Sequence, residues 1–203
     1  MTSRSFVTGA ELWCVLLAAG GSSRLGYPKQ LLRDPVRPLL LRAVDAALTV
    51  APDQVVVVVG ADALRMRSIL SRNFGDLPVV CNGAWNQGIS TSLRAGIGVL
   101  PQPARGALIM LTDQVRVDSR DLARLANEWR RQPSAAIAAR YNGEIGVPAI
   151  LPRRLWARLS ELEGDRGAKA LLEDDRTRLV DMPSAAVDID TAEDRRRFED
   201  RIV

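Results

Sequence analysis

The residues best suited to chemistry stand in one stretch, Leu17-Ala18-Ala19-Gly20-Gly21-Ser22-Ser23-Arg24-Leu25-Gly26-Tyr27-Pro28-Lys29-Gln30. Small residues and two adjacent glycines let backbone N–H groups turn toward an anion. Ser22 and Ser23 add hydroxyl donors, and Arg24 and Lys29 add positive charge. The chemistry this favours is the cradling of a chain of phosphates. The stretch has no Gly-Lys-Ser or Gly-Lys-Thr, unlike a Walker A loop, and no Gly-x-Gly-x-x-Gly, unlike a dinucleotide-binding turn. Of the 28 basic residues only Lys29 and Lys169 are lysines. A chain that uses arginine wherever positive charge alone is wanted, yet keeps a lysine beside a glycine-rich loop, points to a compact point charge on a phosphate.

Carboxylates come next. Asp113 follows the apolar run Ala107 to Leu111, which places it at the C-terminal edge of a parallel sheet, where open α/β folds bind ligands. Asp188 and Asp190 are two apart on an extended segment and share a face, so either can complete an oxygen-ligand site with Asp113, with magnesium as the expected ion. Helix capping is the plainer role open to each of the three, near Ser119 for Asp113 and at the last helix for the others. The chain has no histidine. That excludes histidine dyads, triads and metal sites.

On these residues the sequence resembles the molybdenum cofactor nucleotidyltransferases, whose signature is Leu-Ala-Ala-Gly-x-Ser-x-Arg-x-Gly-x-x-Lys. Four further blocks follow in the family's order: Asn82 to Gly96, Asp113-Gln114, Gly164-Asp165-Arg166-Gly167-Ala168-Lys169, and Asp188 to Asp194. The resemblance implies a Rossmann-like three-layer α/β sandwich of the nucleotide-diphospho-sugar transferase kind, as a single NTP transferase domain. It implies transfer of a nucleoside monophosphate, CMP from CTP, to a molybdopterin-type acceptor with release of pyrophosphate. Arg24 and Lys29 would be catalytic, and Leu17 to Arg24, Lys29, Asn82 and Ser92 would bind the nucleotide. Asp113 with Asp188 or Asp190 would hold Mg2+, while Trp85, Arg166 and Lys169 would face the acceptor. A molybdoenzyme or its chaperone is the implied recipient of the product. The base preference rests on Ala19, where the guanylyltransferase branch carries glycine: a methyl group there narrows the slot for a purine. The family pattern is broken at Val115, after Asp113-Gln114, and at Ala192, where the family carries proline. Both changes bear on the acceptor more than on the nucleotide. Two other activities fit the same fold, a nicotinamide-dependent oxidoreductase acting on a heteroaromatic substrate and a non-catalytic cofactor-binding chaperone.

These residues need strands and helices to position them. Apolar runs of strand length occur at Trp13 to Ala18, Val55 to Val59, Val79 to Cys81, Ala107 to Leu111 and Ala135 to Ala139. Segments of helical period separate them: Pro38 to Val50, Ala61 to Phe74, Ser90 to Leu100 and Ser119 to Arg131. The alternation predicts a mostly parallel sheet covered on both faces, with the all-valine run as a central strand. Asn142-Gly143 predicts a hairpin, Pro152 opens a helix to Leu162, Gly164-Asp165 breaks it, and a short helix carrying Arg166 and Lys169 in its first turn ends near Glu173. One of Ser90, Thr91 and Ser92 is expected to cap the helix that follows, and Thr191 with Asp194 forms a capping-box variant. Cys14 and Cys81 lie in apolar runs and are both expected to be buried thiols in a reducing, cytoplasmic setting.

Composition bounds the rest. The chain has 203 residues, 47% hydrophobic and 26% charged, which is enough for one sizeable core. Basic residues are interleaved with acidic ones, as in Arg195 to Arg197 beside Glu193, Asp194 and Glu199, so the excess of 28 over 24 reads as solvated helix faces and not as a nucleic-acid surface. No apolar stretch reaches the roughly 20 residues of a membrane helix. Residues 1–10 are expected to form a disordered leader.

Overall fold

In the computed structural model, residues 11–34, 37–173 and 176–199 are described, so the expected leader lies outside the described residues. Strands β1 (Leu12–Ala18), β4 (Val55–Val59), β5 (Val79–Cys81) and β6 (Gly106–Leu111) run parallel in the order β5-β4-β1-β6. The sheet continues through β8 (Glu144–Pro152), β7 (Ile137–Tyr141) and β9 (Arg178–Asp181), with β8 antiparallel to both its neighbours. Two short strands, β2 (Arg33–Asp34) and β3 (Arg37–Pro38), pair separately.

Alternate residues of each strand feed two cores. Cys14, Leu16, Val57 and Leu108 face α1 (Leu39–Val50), α2 (Ala63–Phe74) and α4 (Ser119–Arg131). Val15, Leu17, Val58 and Ile109 face α3 (Ile89–Gly98), a 3-10 segment Arg153–Glu161 and α5 (Lys169–Leu172). This is the expected three-layer sandwich. Val55 to Val59 are all buried, as a strand covered on both faces requires, but β4 lies one place in from the edge and β1 and β6 take the centre. From β1 the chain passes to β4 on one side, and β6 closes on its other side. That reversal opens a crevice above the C-terminal ends of β1 and β6.

Local chemistry agrees in several places. Asn142 and Gly143, at φ 50° and 77°, close the β7–β8 hairpin in the left-handed conformation such a turn demands. Thr191 and Asp194 exchange the bonds of a capping box: the Asp194 N–H donates to Thr191 Oγ1, and the Thr191 N–H to the Asp194 carboxylate. They start α6 (Ala192–Glu199). Asp118 caps α4 by accepting from the Arg120 and Asp121 N–H groups, which leaves Asp113 free of that duty.

Four expectations are corrected. The segment after Pro152 is a 3-10 helix, closed by the Leu162 N–H on the Leu159 carbonyl, and the Arg94 guanidinium donates to the otherwise orphaned carbonyls at its end, those of Leu159 and Leu162. Helix α3 begins at Ile89 with Gly88 as its cap, so Ser90, Thr91 and Ser92 lie inside the first turn. Arg166 precedes α5, which is only four residues long. Cys14 is buried, its thiol pushed up to about 12 by desolvation, but Cys81 is exposed because β5 is an edge strand.

Candidate active site

The glycine-rich stretch leaves β1 at the crevice and is cross-braced to the 3-10 turn Lys29–Leu31. The Lys29 N–H donates to Ser22 Oγ at 3.1 Å, and the Gln30 side-chain amide donates to the Ala18 and Gly20 carbonyls at 3.1 and 2.8 Å. Leu31 and Leu32 anchor the turn in the core. A cleft of about 320 Å³ opens over this brace. Its walls include Leu17 to Gly21 from the loop, Lys29 and Gln30 from the turn, Trp85, Ser92 at the start of α3, Asp113 past the end of β6, and Asp165.

Two close approaches shape the walls. The Trp85 ring lies against Gly21, where an added Cβ would come within 2.8 Å of it, and its own Cβ stands against Gly60. Gly88, at φ 107°, touches the Gly164 backbone, and the Ser90 N–H donates to the Gly164 carbonyl at 3.2 Å. The loop bearing Asp165 is thereby docked on the start of α3.

At the lip of the cleft the Lys29 ammonium stands between two carboxylates, 2.5 Å from Asp113 Oδ2 and 2.8 Å from Asp190 Oδ1. Burial pulls the ammonium's pKa down, but the Asp113 and Asp190 charges outweigh it and hold it above the ordinary lysine value. Asp113 Oδ1 is buried and without a partner. Asp188 and Asp190 share a face as expected, with Ile189 buried between them. Burial, then the Asp190 and Asp113 charges, raise the Asp188 carboxyl above the usual aspartate value.

Among the described residues no three acidic or thiol side chains converge closely enough to hold a metal by themselves. Two hard carboxylates converging on one cation, with a spare buried oxygen on Asp113, do suit magnesium, which is characteristically bound through one or two carboxylates together with substrate phosphates.

Apart from Asp188 and Asp190, the residues singled out from sequence fall into four groups. Leu17, Ala18, Ala19, Gly20, Gly21, Lys29, Trp85, Ser92 and Asp113 share the cleft wall. Ser22, Ser23 and Arg24 lie on the same loop outside that wall, with the Arg24 guanidinium exposed. The Asn82 carboxamide sits behind the wall, donating to Thr91 Oγ1 and Ser92 Oγ and accepting from the Ala84 N–H. It positions Ser92. Lys169 is exposed and paired with Glu144 at 2.7 Å, and Arg166 is exposed. Gln30 and Asp165 are wall residues to which sequence reasoning gave no role.

The MobA-like NTP transferase domain model matches residues 14–181. The chain belongs to that family. It is therefore a nucleotidyltransferase of the MobA-like kind, with the signature loop inside the matched span. This MobA-like chain is similar to Rv0371c from Mycobacterium tuberculosis H37Rv, at 30% identity over 94% of this chain and 98% of that one, with a TM-score of 0.76. Its homologue from Mycobacterium sp. strain JC1 gives 28% identity over 95% and 97%, with a TM-score of 0.78. The Mycobacterium tuberculosis protein has also been solved in complex with manganese. Molybdopterin-guanine dinucleotide biosynthesis protein A from Archaeoglobus fulgidus, at 16% identity over 93% and 97% and a TM-score of 0.70, shares the fold. No curated protein sequence matches the chain.

Proposed function

We propose that the protein transfers CMP from CTP to a phosphorylated acceptor of the molybdopterin type in the cytoplasm, with magnesium as its metal. The observation that carries this reading is the Lys29 ammonium held between Asp113 and Asp190 at the lip of a glycine-rich cleft. A terminal phosphate oxygen of the acceptor attacks the α-phosphorus of CTP. The bond from that phosphorus to the bridging oxygen breaks, and its electron pair leaves with pyrophosphate. Such transfer depends on positioning and charge neutralisation and needs no general base, so a chain without histidine can perform it.

Asp113 and Asp190 would hold the magnesium ion, which when bound neutralises charge on the triphosphate. Lys29 then has its carboxylate partners engaged and is free to meet phosphate oxygens. Arg24, an exposed guanidinium on the same loop, adds a second positive charge for the leaving pyrophosphate. Backbone N–H groups of Gly20 and Gly21 supply directed donors of the kind that binds phosphates.

The Ala19 methyl is buried in the cleft wall at 5% exposure, which favours a pyrimidine over a purine. One methyl contact discriminates by roughly 10 to 200-fold. Competition of CTP, GTP and ATP in one reaction with molybdopterin, read by mass analysis of the dinucleotide product, tests the assignment. CTP should dominate, and Ala19→Gly should weaken its dominance. A preference for GTP by the unaltered protein would defeat the cytidylyl assignment.

A further inference from the structure

We propose that Gln30 is a positioning residue that sets the direction of the phosphate-binding backbone before any ligand arrives. In a planar trans peptide the N–H points opposite to the C=O of the same unit. Fixing a carbonyl therefore fixes the N–H behind it. The Gln30 amide nitrogen has two hydrogens, and both are used, one on the Ala18 carbonyl and one on the Gly20 carbonyl. The carbonyl between them, on Ala19, accepts from the Ala61 N–H at 3.0 Å. Three consecutive peptide units are thus held by their oxygens, and the N–H groups of Ala19 and Gly21 are turned away from Gln30.

The Gly21 N–H, aimed by Gln30 through the Gly20 carbonyl, and the Gly20 N–H, aimed by Ala61 through the Ala19 carbonyl, have no partner among the described residues and lie on an exposed part of the loop, ready for an anion. The other half of the same side chain shows what this arrangement costs. Gln30 is 1% exposed, yet its Oε1 is buried without a partner. A residue kept for stability alone would not leave that oxygen unpaired, since a buried acceptor with no donor is destabilising. Leucine or methionine would fill the place without that penalty. What they cannot do is donate twice to a loop that otherwise has glycine's freedom. Lys29, the adjacent residue on the same turn, carries the charge, so one 3-10 turn delivers both the cation and the ordered donors.

This inference rests on the loop being the triphosphate site, and the test separates the two. Inorganic pyrophosphate and CTP, each with magnesium, are titrated into the unaltered protein, Gln30→Met and Gln30→Glu, the last keeping the polar shape while losing both donors. Manganese affinity without nucleotide and the ¹⁵N relaxation of the Gly20 and Gly21 amides are measured alongside. Both variants should bind pyrophosphate and CTP at least tenfold more weakly. KM for CTP should rise by the same factor while kcat falls less than threefold, manganese affinity should stay within twofold, and the Gly21 amide should lose order in the free protein, more than the Gly20 amide. If Gln30→Met does not fold, Gln30→Glu carries the same expectations. Variants that bind both ligands as tightly as the unaltered protein would overturn the inference. So would a parallel loss of manganese binding, nucleotide binding and melting temperature, the signature of a merely structural residue. Failure of the unaltered protein to bind either ligand would instead remove the triphosphate reading, and this inference with it.

Discussion

The two ends of the crevice are built differently. Around the glycine-rich loop the polar groups are buried: Gln30, Asn82, Ser90, Thr91, Ser92, Thr112, Asp113 and Gln114, all the buried polar residues among those described, lie along the C-terminal edge of β1, β5 and β6, and Gln30 Oε1, Ser90 Oγ, Asp113 Oδ1 and Gln114 Oε1 among them have no partner. On the far side, where an acceptor would approach, Arg166 is exposed, Lys169 pairs with Glu144 in solvent, and the supporting elements are a 3-10 segment and a four-residue helix. On the proposed function a donor nucleotide would meet preorganised dipoles, and an acceptor would meet exposed charges on long side chains. If the proposed function holds, that difference predicts tighter discrimination of the triphosphate than of what receives the nucleotide. Gln114, whose amide donates to the Val147 and Ala185 carbonyls, ties the two sides together.

The contrast can be broken most severely at Asp113. Asp113→Asn should lower magnesium-dependent pyrophosphate release by about 1,000-fold or more, in line with the several kcal/mol a bound cation contributes to transition-state charge stabilisation. Full activity in that variant would move the metal ligand elsewhere. Lys29→Ala should cost about 100-fold in kcat, the loss of one charge contact in the transition state. It should also tighten manganese binding by the nucleotide-free protein, because the ammonium no longer competes for Asp113 and Asp190. An unchanged kcat in a folded variant would take Lys29 out of the mechanism.

The Lys29 bridge also predicts a pH dependence. Its folded-state pKa lies above the ordinary 10.5, so its contribution to stability is fully present below that value and is lost as pH rises through the folded pKa. Melting temperature followed from pH 9 upward should therefore fall more steeply in the unaltered protein than in Lys29→Ala. Parallel curves would show that the bridge does not contribute in solution.

How much of this was legible in sequence follows from where each residue's signal lies. The loop, Lys29 and Asp113 declare themselves because glycines after a strand, a rare lysine and a strand-end carboxylate each have few other uses. Gln30 does not, since a glutamine before two leucines looks like polar filler until its donors are seen on the loop carbonyls. Asp165 reads as part of a helix break, and only the Gly88–Gly164 contact brings it to the cleft. The exposure of Cys81 is hidden in the sequence because a three-residue edge strand shows no alternation, and β9, short and largely exposed, shows no pattern at all. Asn82 was expected at the nucleotide, whereas its hydrogen bonds place it behind Ser92.

Smaller effects sharpen the contrast. Asp188→Asn should raise the melting temperature of the metal-free protein at neutral pH. A carboxyl whose folded pKa is raised costs stability once ionised, and the gain should vanish as pH falls below 3.8. A loss of turnover as deep as that of Asp113→Asn would make Asp188 a metal ligand. Lys169→Ala should leave the melting temperature and KM for CTP unchanged and weaken the acceptor by only a few fold, since exposed pairs contribute little. A large loss in CTP binding would show that the acceptor side reaches the nucleotide.

The most direct measurement is a crystal structure with manganese and a non-hydrolysable CTP analogue, the metal located by its anomalous signal. A manganese peak shared by Asp113 and Asp190 is expected, with the triphosphate on the Gly20 and Gly21 N–H groups and the Lys29 ammonium on phosphate oxygens. Nucleotide bound elsewhere, with Lys29 still bridging the two carboxylates, would contradict it.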